Sequence, residues 1–157
     1  MKSNMPSGSF SLDSSVLLEM LAGTSSGQLM VQGLLADSII TYTSYLNLSE
    51  AEYVLCRKIG REHSRSKVES LLRSNYITLI EMERVHALAA QIKCERALAL
   101  ADCYSLATAE VAKSKALFAF REEELTKEMN RKPFKVEIYF LEDMAAKERA
   151  RTHPSPT

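Results

Sequence analysis

Five short runs rich in β-branched or aromatic side chains alternate with helix-forming segments, and no other feature of this chain restricts its fold as strongly. The first run, residues 9–12, sets Phe10 and Leu12 between Ser9 and Ser11; the others are 39–43, 76–80, 115–120 and 136–141. Between them the spacing predicts helices over 16–21 and 28–37, divided by Gly23-Thr24-Ser25-Ser26-Gly27, and over 51–59, introduced by Asn47-Leu48-Ser49-Glu50 and stopped at Gly60. Further helices are expected at 64–73 and from Glu122 to about Arg131. Residues 84–113 hold neither Gly nor Pro, but a helix of that length is unusual in a globular domain, so two helices meeting near 97–101 are expected. Strands alternating with helical segments predict an α/β fold, a three-layer α/β/α sandwich around a central, mainly parallel sheet.

Nothing between the ends reads as a linker or a repeat, so one domain over residues 9–150 is expected, with 1–8 and 151–157 as loose termini. Twenty basic residues balance twenty acidic ones, which leaves no global field to recruit nucleic acid or an anionic membrane. No apolar run approaches a membrane span, and the polar lead-in is unlike a secretory signal, so a cytoplasmic location is expected. Cys56, Cys94 and Cys103 form no CxxC pair and are read as reduced core thiols.

Ligands of an open parallel sheet bind beyond the carboxyl ends of its strands. Four acids fall there: Asp13 ends the first run, Glu50 follows the second at a helix start, Asp102 opens a helix, and Glu122 follows the fourth run. One acid beside a helix start is ordinarily a cap, and only joint placement makes a site. Carboxylates about 5 Å apart repel by roughly 3 kcal/mol per pair at an effective dielectric near 20, so such a group needs a cation. Oxygen donors alone suit a hard ion such as Mg²⁺ or Mn²⁺, whose chemistry with phosphodiesters is to activate water and offset phosphate charge.

Leu12-Asp13-Ser14-Ser15, then Leu48-Ser49-Glu50 continuing through Tyr53-Val54-Leu55-Cys56-Arg57-Lys58-Ile59-Gly60, then Leu100-Ala101-Asp102-Cys103 resemble in order the conserved segments of PIN-domain proteins. The resemblance is nearest to prokaryotic VapC-type toxin ribonucleases and covers residues 10–141. It implies a parallel sheet between helices, a Mg²⁺- or Mn²⁺-dependent endoribonuclease acting on RNA, an antitoxin partner that blocks the site, and a homodimer. Asp13, Glu50 and Asp102 match the family's first three acids. The fourth departs from the pattern: where the family has Thr or Ser, one residue, then Asp, this chain has Ala119-Phe120-Arg121-Glu122. Glu122 is the expected fourth acid, with Glu123 and Glu124 as substitutes, and binding of a second metal ion is in doubt.

Other features are set lower. Arg57, Lys58, Arg61, Arg65 and Lys67 form a basic band that reads first as a solvated helix face and second as an RNA contact. Ser14, Ser15 and Thr108 are hydroxyls that suit orienting a metal-bound water, with a helix cap as the other reading of Ser14 and Ser15, and the Ala-rich stretch 82–99 suits either core packing or a partner subunit. His63, His86 and His153 do not cluster. Two rival readings stand beside the nuclease: a PIN-fold RNA-processing or binding module with little or no activity, and a helical partner-binding protein in which the strands are misassigned.

Overall fold

A computed structural model describes residues 6–154. Five strands form one parallel sheet in the order β3-β2-β1-β4-β5: β1 (Gly8–Leu12), β2 (Ile39–Ser44), β3 (Ile77–Ile80), β4 (Lys115–Phe118) and β5 (Ile138–Phe140). Among the described residues seven helices connect them, α1 (Ser14–Ala22), α2 (Ser25–Leu35), α3 (Tyr45–Ile59), α4 (Arg61–Arg73), α5 (Met82–Glu95), α6 (Leu100–Ala112) and α7 (Glu123–Arg131), and α8 (Leu141–Thr152) follows β5. The helical rival reading is overturned by this sheet.

Alternation along the strands divides the core in two. On β4, Leu117 joins a cluster with Phe10 and Leu12 of β1, Val16 and Leu17 of α1, Met30 of α2, Leu48 and Leu55 of α3, and Val68 of α4. Its neighbours Ala116 and Phe118 point the other way, into a cluster with Val85 of α5, Leu106 of α6, Leu125 of α7 and Phe140 of β5. Successive side chains of a strand face opposite sides, so these are the two faces of a three-layer sandwich.

The expected long helical stretch is indeed two helices, but neither Gly nor Pro divides them. Arg96 leaves the helix at φ −136°, ψ 143° and buries its guanidinium against the end of α7, donating to the carbonyls of Glu128, Lys132 and Pro133. The Glu128 carbonyl also accepts from the Lys132 N–H, whereas those of Lys132 and Pro133 lie past the helix end, and the planar fork suits several carbonyls at once. Phe134 stacks on the guanidinium, 3.7 Å from ring centroid to Cζ.

Several boundaries differ from expectation. α3 starts at Tyr45, not near Ala51, because the Ser44 hydroxyl accepts from the Asn47 N–H and caps the helix early. α2 starts at Ser25 behind the Thr24 cap, and Gly27 is required there, since a Cβ would lie 2.0 Å from the Glu19 carbonyl oxygen of α1. β4 ends at Phe118 rather than Phe120. α8 was not anticipated and takes in Arg151 and Thr152 from the expected tail. At the other end Gly8 opens β1 and the Pro6 carbonyl accepts from Ser38; residues 1–5 and 155–157 lie outside the described part. Of the three thiols, all free, Cys103 is buried, Cys56 half-buried and Cys94 exposed, so Cys94 is not a core residue. No helix among the described residues is long and apolar enough to cross a membrane.

Candidate active site at the carboxyl edge of the sheet

The chain runs outward from β1 to β2 and β3, then returns to β4 on the other side of β1, so the strand order reverses beside β1. A crevice opens at such a reversal, beyond the strand ends. Asp13 is the first residue past β1 and is bound there by its own N–H, which donates to the Leu117 carbonyl of β4.

Asp13 also caps α1, and the two hydroxyls after it are what the cap needs. Its Oδ2 accepts from the Ser15 N–H at 3.0 Å and the Ser15 hydroxyl at 2.7 Å. Ser15 Oγ in turn accepts from the Ala119 N–H at 3.0 Å, which links the carboxyl to the end of β4. On the other oxygen, Oδ1 accepts from the Ser105 hydroxyl of α6 at 2.6 Å and, more weakly, from Asn47 Nδ2 of α3 at 3.4 Å. Asn47 is fully buried and spans the site: Nδ2 donates to Ser105 Oγ at 2.8 Å and to the Ala101 carbonyl at 3.0 Å, while its Oδ1 accepts from Ser44. One carboxyl is thereby fixed by α1, α3 and α6 together.

Asp102 sits in the first turn of α6, three residues before Ser105 and on the same side of the helix. Burial, and then the charges of Asp13, Glu122 and Glu50, push its carboxyl up to about 7; a backbone hydrogen bond at Ala99 acts against them. Glu122 occupies the cap position of α7, where its backbone carbonyl accepts from Thr126 but its side chain makes no cap bond, and its carboxyl is raised by burial and by Asp13, Glu124 and Glu50. Asp102 on α6 and Glu122 on the β4–α7 connection therefore both feel the charges of Asp13, just past β1, and of Glu50 on α3. Glu50 stands in the second turn of α3 rather than at its N-terminus, a consequence of the early Ser44 cap.

The substitutes for the fourth acid differ in surroundings. Glu123 is mostly exposed and pairs with Lys127 at 2.6 Å, whereas Glu124 contributes charge to Glu122. Arg121, at the position where the resemblance has an acid, is drawn outward by α8: its guanidinium bonds Asp143 at 2.6 Å and lies 4.5 Å from the centre of the Phe140 ring, and its N–H donates to Glu142. Its charge is thus matched outside the acid group.

Among the described residues no three Asp, Glu, His or Cys side chains converge as a ready cage for an ion. The donor set still fits Mg²⁺ or Mn²⁺, which takes one or two carboxylates and completes its shell with water and substrate oxygens. Thr108 has no part in it, since its hydroxyl bonds back to the Tyr104 carbonyl at 2.7 Å. In the basic band, Arg65 is paired with Glu52 and Glu69, and Arg57 lies about 18 Å along α3 from its N-terminal end. Sequence reasoning missed Asn47, Ser105 and Ser44 as site residues. Asn47 is three residues before Glu50 and Ser105 three after Asp102, so the helical period around the acids was the available signal.

Comparison with known proteins agrees with this architecture. The family model described as PIN domain matches residues 11–127. No curated protein sequence matches the chain. Among solved structures, VapBC2 from Rickettsia felis bound to a promoter DNA fragment is similar at 13% identity and TM-score 0.59, over 84% of this chain and 98% of that one. A toxin–antitoxin complex from Klebsiella pneumoniae gives 16% identity and TM-score 0.57, covering 83% and 96%. VapC20 of Mycobacterium tuberculosis, a toxin that cleaves the sarcin–ricin loop, gives 16% and 0.56, covering 75% and 94%. At these identities the structures speak for the fold, and the family match extends over most of the chain: this protein belongs to the PIN-domain family.

Proposed function

We propose that this chain is a Mg²⁺- or Mn²⁺-dependent endoribonuclease, the toxin of a toxin–antitoxin pair, working in the cytoplasm as a homodimer. The observation that carries the chemistry is the burial of Asp102 at the sheet edge within reach of the charges of Asp13, Glu122 and Glu50. A buried acid group with no opposing charge among its own residues is costly to the fold, and a divalent cation removes that cost. The antitoxin partner rests on the likeness to the Klebsiella complex, and RNA as substrate on the likeness to VapC20.

Asp13, Glu50, Asp102 and Glu122 would hold the ion, directly or through water, and when bound it activates a water and offsets charge on the scissile phosphate. Asp13 is the fixed member: Ser15 and Ser105 leave its carboxyl little freedom to turn. Asp102, whose carboxyl lies near 7, holds a proton for part of the time at neutral pH, and that proton leaves as positive charge is supplied. Asn47 and Ser105 tie together α3 and α6, the helices that carry Glu50 and Asp102.

Cleavage of a mixed RNA pool with added Mn²⁺, abolished by chelator and by Asp13→Asn, tests the reading. Calorimetric titration that finds no Mn²⁺ binding to the wild type would sink it. A second reading, an RNA-binding PIN module without activity, is favoured by Arg121 at the usual acid position; RNA binding with no cleavage at any metal concentration would select it.

A further inference from the structure

Asp102 reaches the acid group on α6, yet nothing in the sequence just before α6 fixes how that helix starts. Its cap residue is Ala99, which makes no side-chain cap bond, and the linker from α5 is Arg96-Ala97-Leu98-Ala99. It includes none of the Gly, Pro, Asn, Asp or Ser residues that set the shape of a short connection. The linker must therefore take its shape from partners outside it.

Every residue of the linker has such a partner. The buried Arg96 guanidinium donates to the carbonyls of Lys132 at 2.7 Å, Pro133 at 2.8 Å and Glu128 at 3.3 Å, and lies 3.7 Å from the Glu128 carboxylate. Ala97 gives that buried carboxylate a backbone hydrogen bond, and Arg131 holds it from its own helix at 2.7 Å. Leu98 sits in the core cluster with Val85 and Leu106, and its carbonyl accepts from Lys93 Nζ of α5 at 2.5 Å. Ala99 gives a backbone hydrogen bond to Asp102, whose side chain, in the first turn of the helix, reaches back to the cap residue. This succession of contacts begins at Glu128 on α7 and ends on the carboxyl of Asp102. The opposite end of α7 starts from Glu122.

A buried ion pair is a poor means of stabilising a fold, since apolar side chains of like volume often serve as well. What the Arg96 fork supplies is direction, because its planar donors fix an angle as well as a distance. We propose that Arg96 and Glu128 are positioning residues for Asp102, holding its carboxyl through the linker at the place where the acid group grips a divalent cation. The proposal rests on the metal-dependent reading. Arg96 and Glu128 take no part in the reaction themselves; they set where Ala99, and so Asp102, stands relative to α7 and Glu122.

Calorimetric titration of Mn²⁺ into the wild type, Arg96→Lys and Glu128→Gln tests this, with Val68→Ala in the core of the other sheet face as the control for lost stability. Lysine keeps the charge but offers one ammonium to three carbonyls, so Arg96→Lys should weaken Mn²⁺ binding about tenfold and speed hydrogen exchange at the Ala99 amide. Glu128→Gln keeps an oxygen for Ala97 and should weaken binding less. In RNA cleavage the loss from Arg96→Lys should fall on kcat, with KM for RNA unchanged. Val68→Ala should melt earlier than the wild type and bind Mn²⁺ as tightly as it does. Arg96→Lys and Glu128→Gln proteins that melt earlier yet bind Mn²⁺ like the wild type would overturn the positioning role and leave the nuclease intact. Weakening of the same size in Val68→Ala would also overturn it, because loss of stability alone would then explain the effect. Should Arg96→Lys fail to fold, Glu128→Gln carries the comparison. A wild type that binds no Mn²⁺ removes both readings.

Discussion

Asp13 and Asp102 belong to one acid group but are compensated in different ways. Around Asp13 the chain provides its own donors, the N–H and hydroxyl of Ser15, the hydroxyl of Ser105 and the amide of Asn47, drawn from three helices. Around Asp102 it provides burial and three like charges, relieved by a backbone hydrogen bond at Ala99. The first carboxyl is part of what holds α1, α3 and α6 together; the second is a strain that those helices tolerate. Under the proposed metal-dependent reading the two kinds have separate uses, one acid built into the structure and one left in want of charge.

Replacing each in turn gives the largest effect and the sharpest break between them. Asp13→Asn and Asp102→Asn should both lower RNA cleavage by at least about a hundredfold, since each removes charge from where a cation must sit. Their effects on stability should have opposite signs. Asn at 13 puts an NH₂ where donors converge and should cost about 1–3 kcal/mol. Asn at 102 removes a buried, repelled carboxylate and should stabilise the metal-free protein at neutral pH. Urea unfolding of both variants checks this, and two destabilised proteins would mean that Asp102 is also part of the frame.

The pH dependence of the metal-free protein is the next largest effect. The Asp102 carboxyl ordinarily titrates at 3.8 and is raised in the fold to about 7. Between those values the native state keeps a proton that the unfolded chain has lost, so stability declines as pH rises, by at most about 1.4 kcal/mol per pH unit. Above about 7 both states are deprotonated at this group and its contribution levels off. Glu122, also raised, adds to the decline. Urea midpoints from pH 5 to 8 should fall for the wild type and fall less for Asp102→Asn. Saturating Mg²⁺ should stabilise the wild type more at pH 8 than at pH 5; equal gains at both would remove the link between Asp102 and the ion.

Truncating the frame is a smaller effect. Asn47→Ala leaves the Ser44 hydroxyl and the Ala101 carbonyl without their buried partner and should cost about 1–3 kcal/mol. Ser105→Ala removes the shortest bond to Asp13. Both should lower activity about 10- to 100-fold by loosening the acid rather than removing it. Activity unchanged in Ser105→Ala, with stability reduced, would show that the frame serves folding only.

Much of this arrangement could be read from the sequence where local signals were strong. The strand–helix alternation led to the parallel sheet, and the ends of the first, second and fourth strands led to Asp13, Glu50 and Glu122. The signals failed where one long-range partner decides the structure. Arg96 breaks the long helical stretch because carbonyls at the end of α7 are there to receive it, and nothing within 84–113 says so. α8 begins directly after β5 with no side-chain cap, so the acids Glu142 and Asp143 of its first turn are its one local start signal. Asn47 was read as part of a helix introduction because its value lies in Ala101 and Ser105, more than fifty residues on.

The smallest predicted effect concerns the fourth acid, where the contrast between a built-in and a waiting carboxyl is least settled by hydrogen bonds. The Glu122 side chain makes no cap bond and its carboxyl is raised by burial and by Asp13, which places it with Asp102 rather than with Asp13. Glu122→Gln should therefore weaken Mn²⁺ binding by up to about tenfold with little loss of stability. Glu123, paired with Lys127 in the open, should give no change on conversion to Gln. Glu124→Gln should have an intermediate and indirect effect, lowering the Glu122 carboxyl by removing a neighbouring charge and so slightly favouring the cation. Calorimetric Mn²⁺ titration of the three variants ranks them, and a larger loss at Glu123 or Glu124 than at Glu122 would move the fourth acid into α7.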